Sequence, residues 1–117
     1  MKIYHNSRCS KSRNTLKILK DQNISFEVIN YLENHLSENE IESILAKLNI
    51  QAIELVRKNE KLWKEKYKSK TLTSKQIIKI LHENPKLIER PIVINEFRGV
   101  IGRPPENVYK LFNYDGI

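Results

Sequence analysis

The chain has 117 residues, 39% hydrophobic and 30% charged, which fits one compact domain with a modest core and leaves little room for a second. It carries no long apolar run and no charged-then-apolar N-terminal pattern, which excludes a membrane span and a signal peptide and makes the cytoplasm the expected compartment. A net charge of +7 favours anionic partners, and one cysteine excludes a disulfide scaffold and a four-cysteine zinc site.

In chain order, Met1 to Tyr4 reads as a first strand, and Asn6-Ser7 as the turn that ends it. A helix starts at Ser10 or Ser12, with Leu16, Ile18 and Leu19 as its apolar stripe and Asn23 as its stop. Ile24, Phe26, Val28 and Ile29 form a second strand that ends near Tyr31. A strand, a helix and a strand in succession predict two parallel strands joined by a right-handed crossover. Ser37 to Glu40 is a capping box ahead of Ile41, Ile44, Leu45 and Leu48, and Thr73 to Gln76 is a second one ahead of Ile77, Ile80 and Leu81. Between them lie a short helical piece, Gln51 to Arg57, and a lysine-dense stretch, Lys58 to Lys70, with Leu62, Trp63 and Tyr67 as its buried side. Aromatics among lysines can stack bases. No nucleic-acid motif accompanies them, so an amphipathic helix with a solvated lysine face is preferred and no nucleic-acid partner is expected.

Strand character returns at Pro91 to Ile94, a turn follows at Glu96 to Gly99, and Val100-Ile101 returns as a hairpin. Arg103-Pro104-Pro105-Glu106 opens a last helix, whose Val108, Leu111 and Phe112 pack on the sheet. The order is β-α-β, helices, β-β-α. It predicts an α/β, thioredoxin-like fold with a mixed sheet, spanning residues 1–117 as one domain, with a helical insertion at about 36–84. By analogy with that fold, the Arg90-Pro91 bond is the place for a cis-proline facing the reactive cysteine.

The densest chemistry lies in His5 to Asn14. A cysteine reacts as thiolate, and its pKa falls at a helix N-terminus or beside cations. Cys9 has both, and the free N–H groups of the same first turn would bind an anion. The other reading is a buried filler, but a strand-to-helix turn between polar residues is a poor place for one. His5, four residues before Cys9, either tunes the thiolate or simply ends the strand. Position 12 is Ser, so there is no C-x-x-C, and position 15 is Thr, so there is no Cys-x5-Arg phosphatase loop. A redox cycle on Cys9 therefore needs a thiol from another molecule. Six of the 21 basic residues are arginines. Arg57, Arg90 and Arg103 each stand at an element boundary, where a planar fork can reach into a cleft. Each alone reads equally as a surface salt bridge.

The segment from Ile3 to Leu16 resembles the N-terminal motif of the glutaredoxin-linked arsenate reductase family (ArsC-like). So do Leu55-Val56-Arg57, the run from Pro85 to Val93, and Ile101-Gly102-Arg103-Pro104-Pro105-Glu106, in the family's order and spacing. The resemblance implies that Cys9 is the nucleophile, with His5 as the histidine near it. It implies that Arg57, Arg90 and Arg103 bind the anion, and Ser12 is counted with these substrate-binding residues. It further implies an oxidoreductase that reduces arsenate with glutathione as co-substrate and glutaredoxin as partner, with no bound cofactor or metal. Two other readings follow from the same likeness. One is an Spx-type regulator that docks on RNA polymerase, against whose C-x-x-C switch Ser12 speaks. The other is a general glutathione-dependent thiol oxidoreductase.

Overall fold

A computed structural model describes residues 1–111. Its elements are β1 (Lys2–Tyr4), α1 (Ser10–Asp21), β2 (Glu27–Ile29), α2 (Glu38–Leu48), α3 (Lys61–Lys66), α4 (Ser74–Glu83), β3 (Ile92–Ile94) and β4 (Gly99–Ile101). Three 3-10 turns, Ala52–Leu55, Pro85–Leu87 and Pro105–Val108, join them. The strand order is β2-β1-β3-β4. β1 runs parallel to β2 with Ile3 opposite Val28, and antiparallel to β3 with Ile3 opposite Val93. β3 and β4 form the hairpin, with Val93 opposite Val100. This mixed sheet with helices is the thioredoxin-like α/β fold.

The central strands β1 and β3 turn successive residues to opposite faces and bury both. Ile3 and Val93, neighbours on one face, pack with Leu19 of α1 and with Val108 and Leu111. Tyr4, Ile92 and Ile94 turn to the other face, against Ile41, Ile44, Leu55, Ile77, Leu81, Leu87 and Ile88. The sheet is thus covered on both sides, one by α1 and the C-terminal turn, the other by the helices between residues 38 and 83.

Local chemistry explains the helix ends. α2 and α4 each begin with a complete capping box, Ser37 with Glu40 and Thr73 with Gln76, in which side chain and backbone exchange hydrogen bonds. α1 ends where Asn23 takes the left-handed conformation at φ 55°, which asparagine tolerates. The 51–57 piece is one 3-10 turn, Ala52–Leu55, because Val56 and Arg57 leave the helix to pair with the 87–89 segment. Arg57 N–H donates to Leu87 O at 2.7 Å and Glu89 N–H to Leu55 O at 2.8 Å, around a Val56–Ile88 bridge. The lysine-dense stretch forms only the six-residue α3. Trp63 is buried in it while Lys61, Lys64, Lys66, Lys68 and Lys70 stay exposed, which matches a solvated lysine face.

The second strand is shorter than its apolar run, since Ile24 and Phe26 fall in the loop before Glu27. The last helix opens with a 3-10 turn at Pro105–Val108 and is α-helical from 109 to 111. The packing expected of Phe112 lies outside the described residues. The Arg90-Pro91 and Arg103-Pro104 bonds are cis. No described helix is long and apolar enough to cross a membrane.

Candidate active site

The sheet brings the end of β1 to the start of α1, and the loop between them is folded by its own polar groups. Asn6 Oδ1 accepts the Arg8 N–H at 3.0 Å and Asn6 O accepts the Cys9 N–H at 3.0 Å. Such an asparagine turn mimics a backbone turn with a side chain. Arg13, one turn into α1, reaches back to donate to Ser7 O at 2.9 Å. Cys9 emerges as the N-cap of α1 with φ −95° and ψ 122°, and no side chain caps the first turn. Its sulfur therefore sits where a capping oxygen would, facing the backbone N–H groups of Lys11 and Ser12.

Two arginines, Arg90 before β3 and Arg103 after β4, close on that sulfur. Arg103 Nη2 donates to Cys9 Sγ at 3.6 Å, while its Nε donates to Arg90 O at 2.8 Å. The planar guanidinium thereby spans the two segments that flank the β3–β4 hairpin, and Asn107 Nδ2 steadies it by donating to Arg103 O at 3.1 Å. Burial is the largest influence on the Cys9 thiol and pushes it up. The Ser12 N–H, the Arg90 side chain, the Lys11 N–H and the Arg90 charge act together in the other direction and win. The thiol ends below its ordinary value of 9.0.

Gly102 makes this approach possible. A Cβ there would lie 2.6 Å from Thr15 Oγ1 and 2.8 Å from Pro91 Cγ. Thr15 is fully buried, and its hydroxyl is held by donating to Lys11 O. Only a residue without a side chain lets the end of β4 press against α1 and β3 at this point.

His5 and Ser12 meet each other. Ser12 Oγ is fully buried, accepts the Asn6 N–H at 3.0 Å and lies 2.6 Å from His5 Nδ1. The hydroxyl has one proton, and His5 Nδ1 is its acceptor among the described hydrogen bonds, which assigns a neutral His5 with its proton on Nε2. Burial, then Arg13 and Lys20, holds the His5 pKa below its ordinary 6.5, in keeping with that state. The hydroxyl of Ser12, counted among the substrate-binding candidates, is bonded inside the loop, and its backbone N–H turns toward Cys9.

Arg57 is placed differently from the other two arginines. Its Nη1 donates to Glu60 Oε1 at 2.9 Å, and its Nε lies 3.6 Å from Glu89 Oε1. The carboxylate of Glu89 arrives through the Val56–Ile88 bridge, a long-range pairing that sequence spacing does not reveal. Arg57 and Arg90 both pull down the pKa of the buried Tyr31, against the burial that raises it. Asn6 and Asn107 were both missed by the sequence reading. Asn6 carried a signal, an asparagine two residues before the Arg8 N–H, whereas Asn107 carried none short of the fold.

The arrangement is a depressed thiol at a helix start with guanidinium groups beside it. It can present a nucleophile and positive donors to the same small anion. The described residues hold no cluster of metal-ligating side chains.

Known proteins resemble this chain over nearly its whole length. The ArsC family pattern matches residues 4–111. A protein named YfgD, from Escherichia coli K12, is 42% identical over 113 residues, covering 95% of each chain. An arsenate reductase of Haemophilus influenzae is 40% identical, covering 93% of this chain and 96% of its own. A solved structure of an arsenate reductase from Vibrio cholerae superimposes with a TM-score of 0.89 at 39% identity, covering 94% of this chain and 97% of that one.

Proposed function

Since the chain belongs to the ArsC family, we propose that it is an arsenate reductase that uses Cys9 as nucleophile and takes its electrons from glutathione and glutaredoxin. The observation that carries the reading is the Cys9 sulfur at the N-cap of α1 with Arg103 Nη2 at 3.6 Å. The names of the Haemophilus and Vibrio relatives support the choice of arsenate.

In this mechanism the Cys9 thiolate attacks arsenic, an S–As bond forms, and one oxygen leaves as water. Arg90 and Arg103 neutralise the charge that gathers on the remaining oxygens. Preorganised donors of this kind are each worth roughly 3 kcal/mol of barrier. Arg57 adds a third positive group, held in place by Glu60 and Glu89. His5 and Ser12 act by positioning: their hydrogen bond fixes the residue whose N–H supports the thiolate.

Reduction of arsenic from the +5 to the +3 state needs two electrons, which two thiols supply when they become a disulfide. With one cysteine in the chain, that disulfide forms on other molecules. Glutathione attacks the arsenic adduct, glutaredoxin takes up the disulfide, arsenite leaves and the Cys9 thiolate returns. The test is steady-state arsenite formation with glutathione and glutaredoxin, on the native protein and on Cys9→Ser. Turnover that vanishes in Cys9→Ser supports the proposal. No turnover above background in the native protein refutes it and favours the polymerase-docking or general thiol oxidoreductase readings.

A further inference from the structure

The sheet has an open rim next to the site. β4 stands last in the order β2-β1-β3-β4, so among the described residues its outer edge meets no further strand. The bonds from Gly102 N–H to Pro91 O at 2.8 Å and from Asn95 N–H to Arg98 O at 2.9 Å fix which residues of the hairpin face inward. With Val93 opposite Val100, the N–H groups of Gly99 and Ile101 turn outward, as alternate residues of an antiparallel pair do. A cavity of about 360 Å³ lies against this edge. Leu48 and Ile50 line it from the end of α2, Asn107 and Lys110 from the C-terminal turns, and Glu89 and Arg103 complete the wall.

Arg103 joins the cavity to the chemistry. Its Nη2 donates to Cys9 Sγ at 3.6 Å, so the sulfur is one guanidinium away from the cavity wall. The charges of the wall are mixed: Arg103 and Lys110 are positive and Glu89 is negative. Glu89 Oε1 stands 3.6 Å from Arg57 Nε, beyond hydrogen-bond length, and a carboxylate can accept about four hydrogen bonds, so Glu89 can still receive a donor. Lys110 is exposed and can turn to meet a ligand.

We propose that this cavity binds glutathione, laid as an extended peptide along the β4 edge, with one carboxylate on Lys110 and the α-ammonium on Glu89. This rests on the reading that glutathione attacks the adduct on Cys9. Two features select this occupant. An open sheet edge takes an extended peptide through main-chain hydrogen bonds. Glutathione carries two carboxylates and one ammonium, the mirror of the two cations and one carboxylate in the wall. The volume also falls within the range of about 300–1,000 Å³ usual for small-ligand sites, near its lower end, as a tripeptide requires. Arg103 stays with the oxyanion, and the peptide beside it brings its thiol toward the arsenic.

The experiment uses the full chain and two ligands. S-methylglutathione, which binds but cannot react, is titrated while backbone amide chemical shifts are followed. KM for glutathione, KM for glutaredoxin and kcat are then measured on the native protein, Lys110→Glu and Lys75→Glu. Lys75, exposed on α4 and outside the cavity, carries the same change of net charge. The amides of Gly99, Val100, Ile101 and Lys110 should shift. Lys110→Glu should weaken S-methylglutathione and raise KM for glutathione about fivefold or more, with kcat and Tm little changed, while Lys75→Glu stays within about twofold. Shifts confined to other segments overturn the proposal, and so does an equal rise of KM in both variants. A rise in KM for glutaredoxin alone gives the edge to a protein partner and overturns it too. If S-methylglutathione moves no amide while glutathione still supports turnover, this site fails and the reductase reading stands. If the β4 amides shift but glutathione supports no turnover, the reductase reading fails and the binding site stands.

Discussion

Arg103→Ala removes the one side chain that touches the Cys9 sulfur and the Arg90 backbone together. The structure gives it two bonds, Nη2 to Cys9 Sγ at 3.6 Å and Nε to Arg90 O at 2.8 Å. Loss of a preorganised donor at the reacting centre costs about 2.7 kcal/mol or more, which is roughly 100-fold in rate. Loss of the Nε bond adds to this, because the Arg90 segment is then less firmly held. Arg103→Lys separates charge from shape: a single ammonium keeps the charge but cannot span both acceptors as the planar fork does. The assay is kcat/KM for arsenate with saturating glutathione and glutaredoxin. Arg103→Ala should lose about 100-fold or more and Arg103→Lys about tenfold or more, while Arg98→Ala, on the exposed hairpin turn, stays within about twofold. An Arg103→Ala enzyme within threefold of native, or a fully active Arg103→Lys, would refute the bridging argument.

Gly102→Ala should destabilise the fold by about 1–3 kcal/mol, the usual cost of overpacking. Its Cβ meets Thr15 Oγ1 at 2.6 Å and Pro91 Cγ at 2.8 Å, neither free to retreat, and thermal unfolding reads the loss as a Tm several degrees lower. His5 gives a pH signature. Its folded pKa is depressed, so its contribution to stability is complete above the ordinary 6.5 and is lost as pH falls toward the lower folded value. Tm should therefore drop between pH 7 and pH 5 in the native protein and drop less in His5→Gln; parallel curves would contradict the neutral, buried histidine.

What the sequence disclosed and what it hid divide by range. The two capping boxes, the α1 stripe and the β3–β4 hairpin were legible because local chemistry determines them. The 52–55 turn was read one step too helical, because Val56 and Arg57 are claimed by a segment thirty residues on. For the same reason Arg57 looked equivalent to Arg90 and Arg103, when its two carboxylate partners set it apart. Cys9, His5 and the arginines stood out by residue type and spacing. The inward commitment of the Ser12 hydroxyl did not, since it depends on how tightly the loop closes over Asn6.

The ionisation of Cys9 tests all of this most directly. Its alkylation rate by iodoacetamide, followed from pH 4 to pH 10, should rise through a single midpoint below 9.0, as the Ser12 and Lys11 N–H groups and Arg90 require. Arg90→Ala should move that midpoint upward. A native midpoint at or above 9.0, unmoved by Arg90→Ala, would mean that the sulfur is an ordinary buried thiol and that the positive groups around it serve something else.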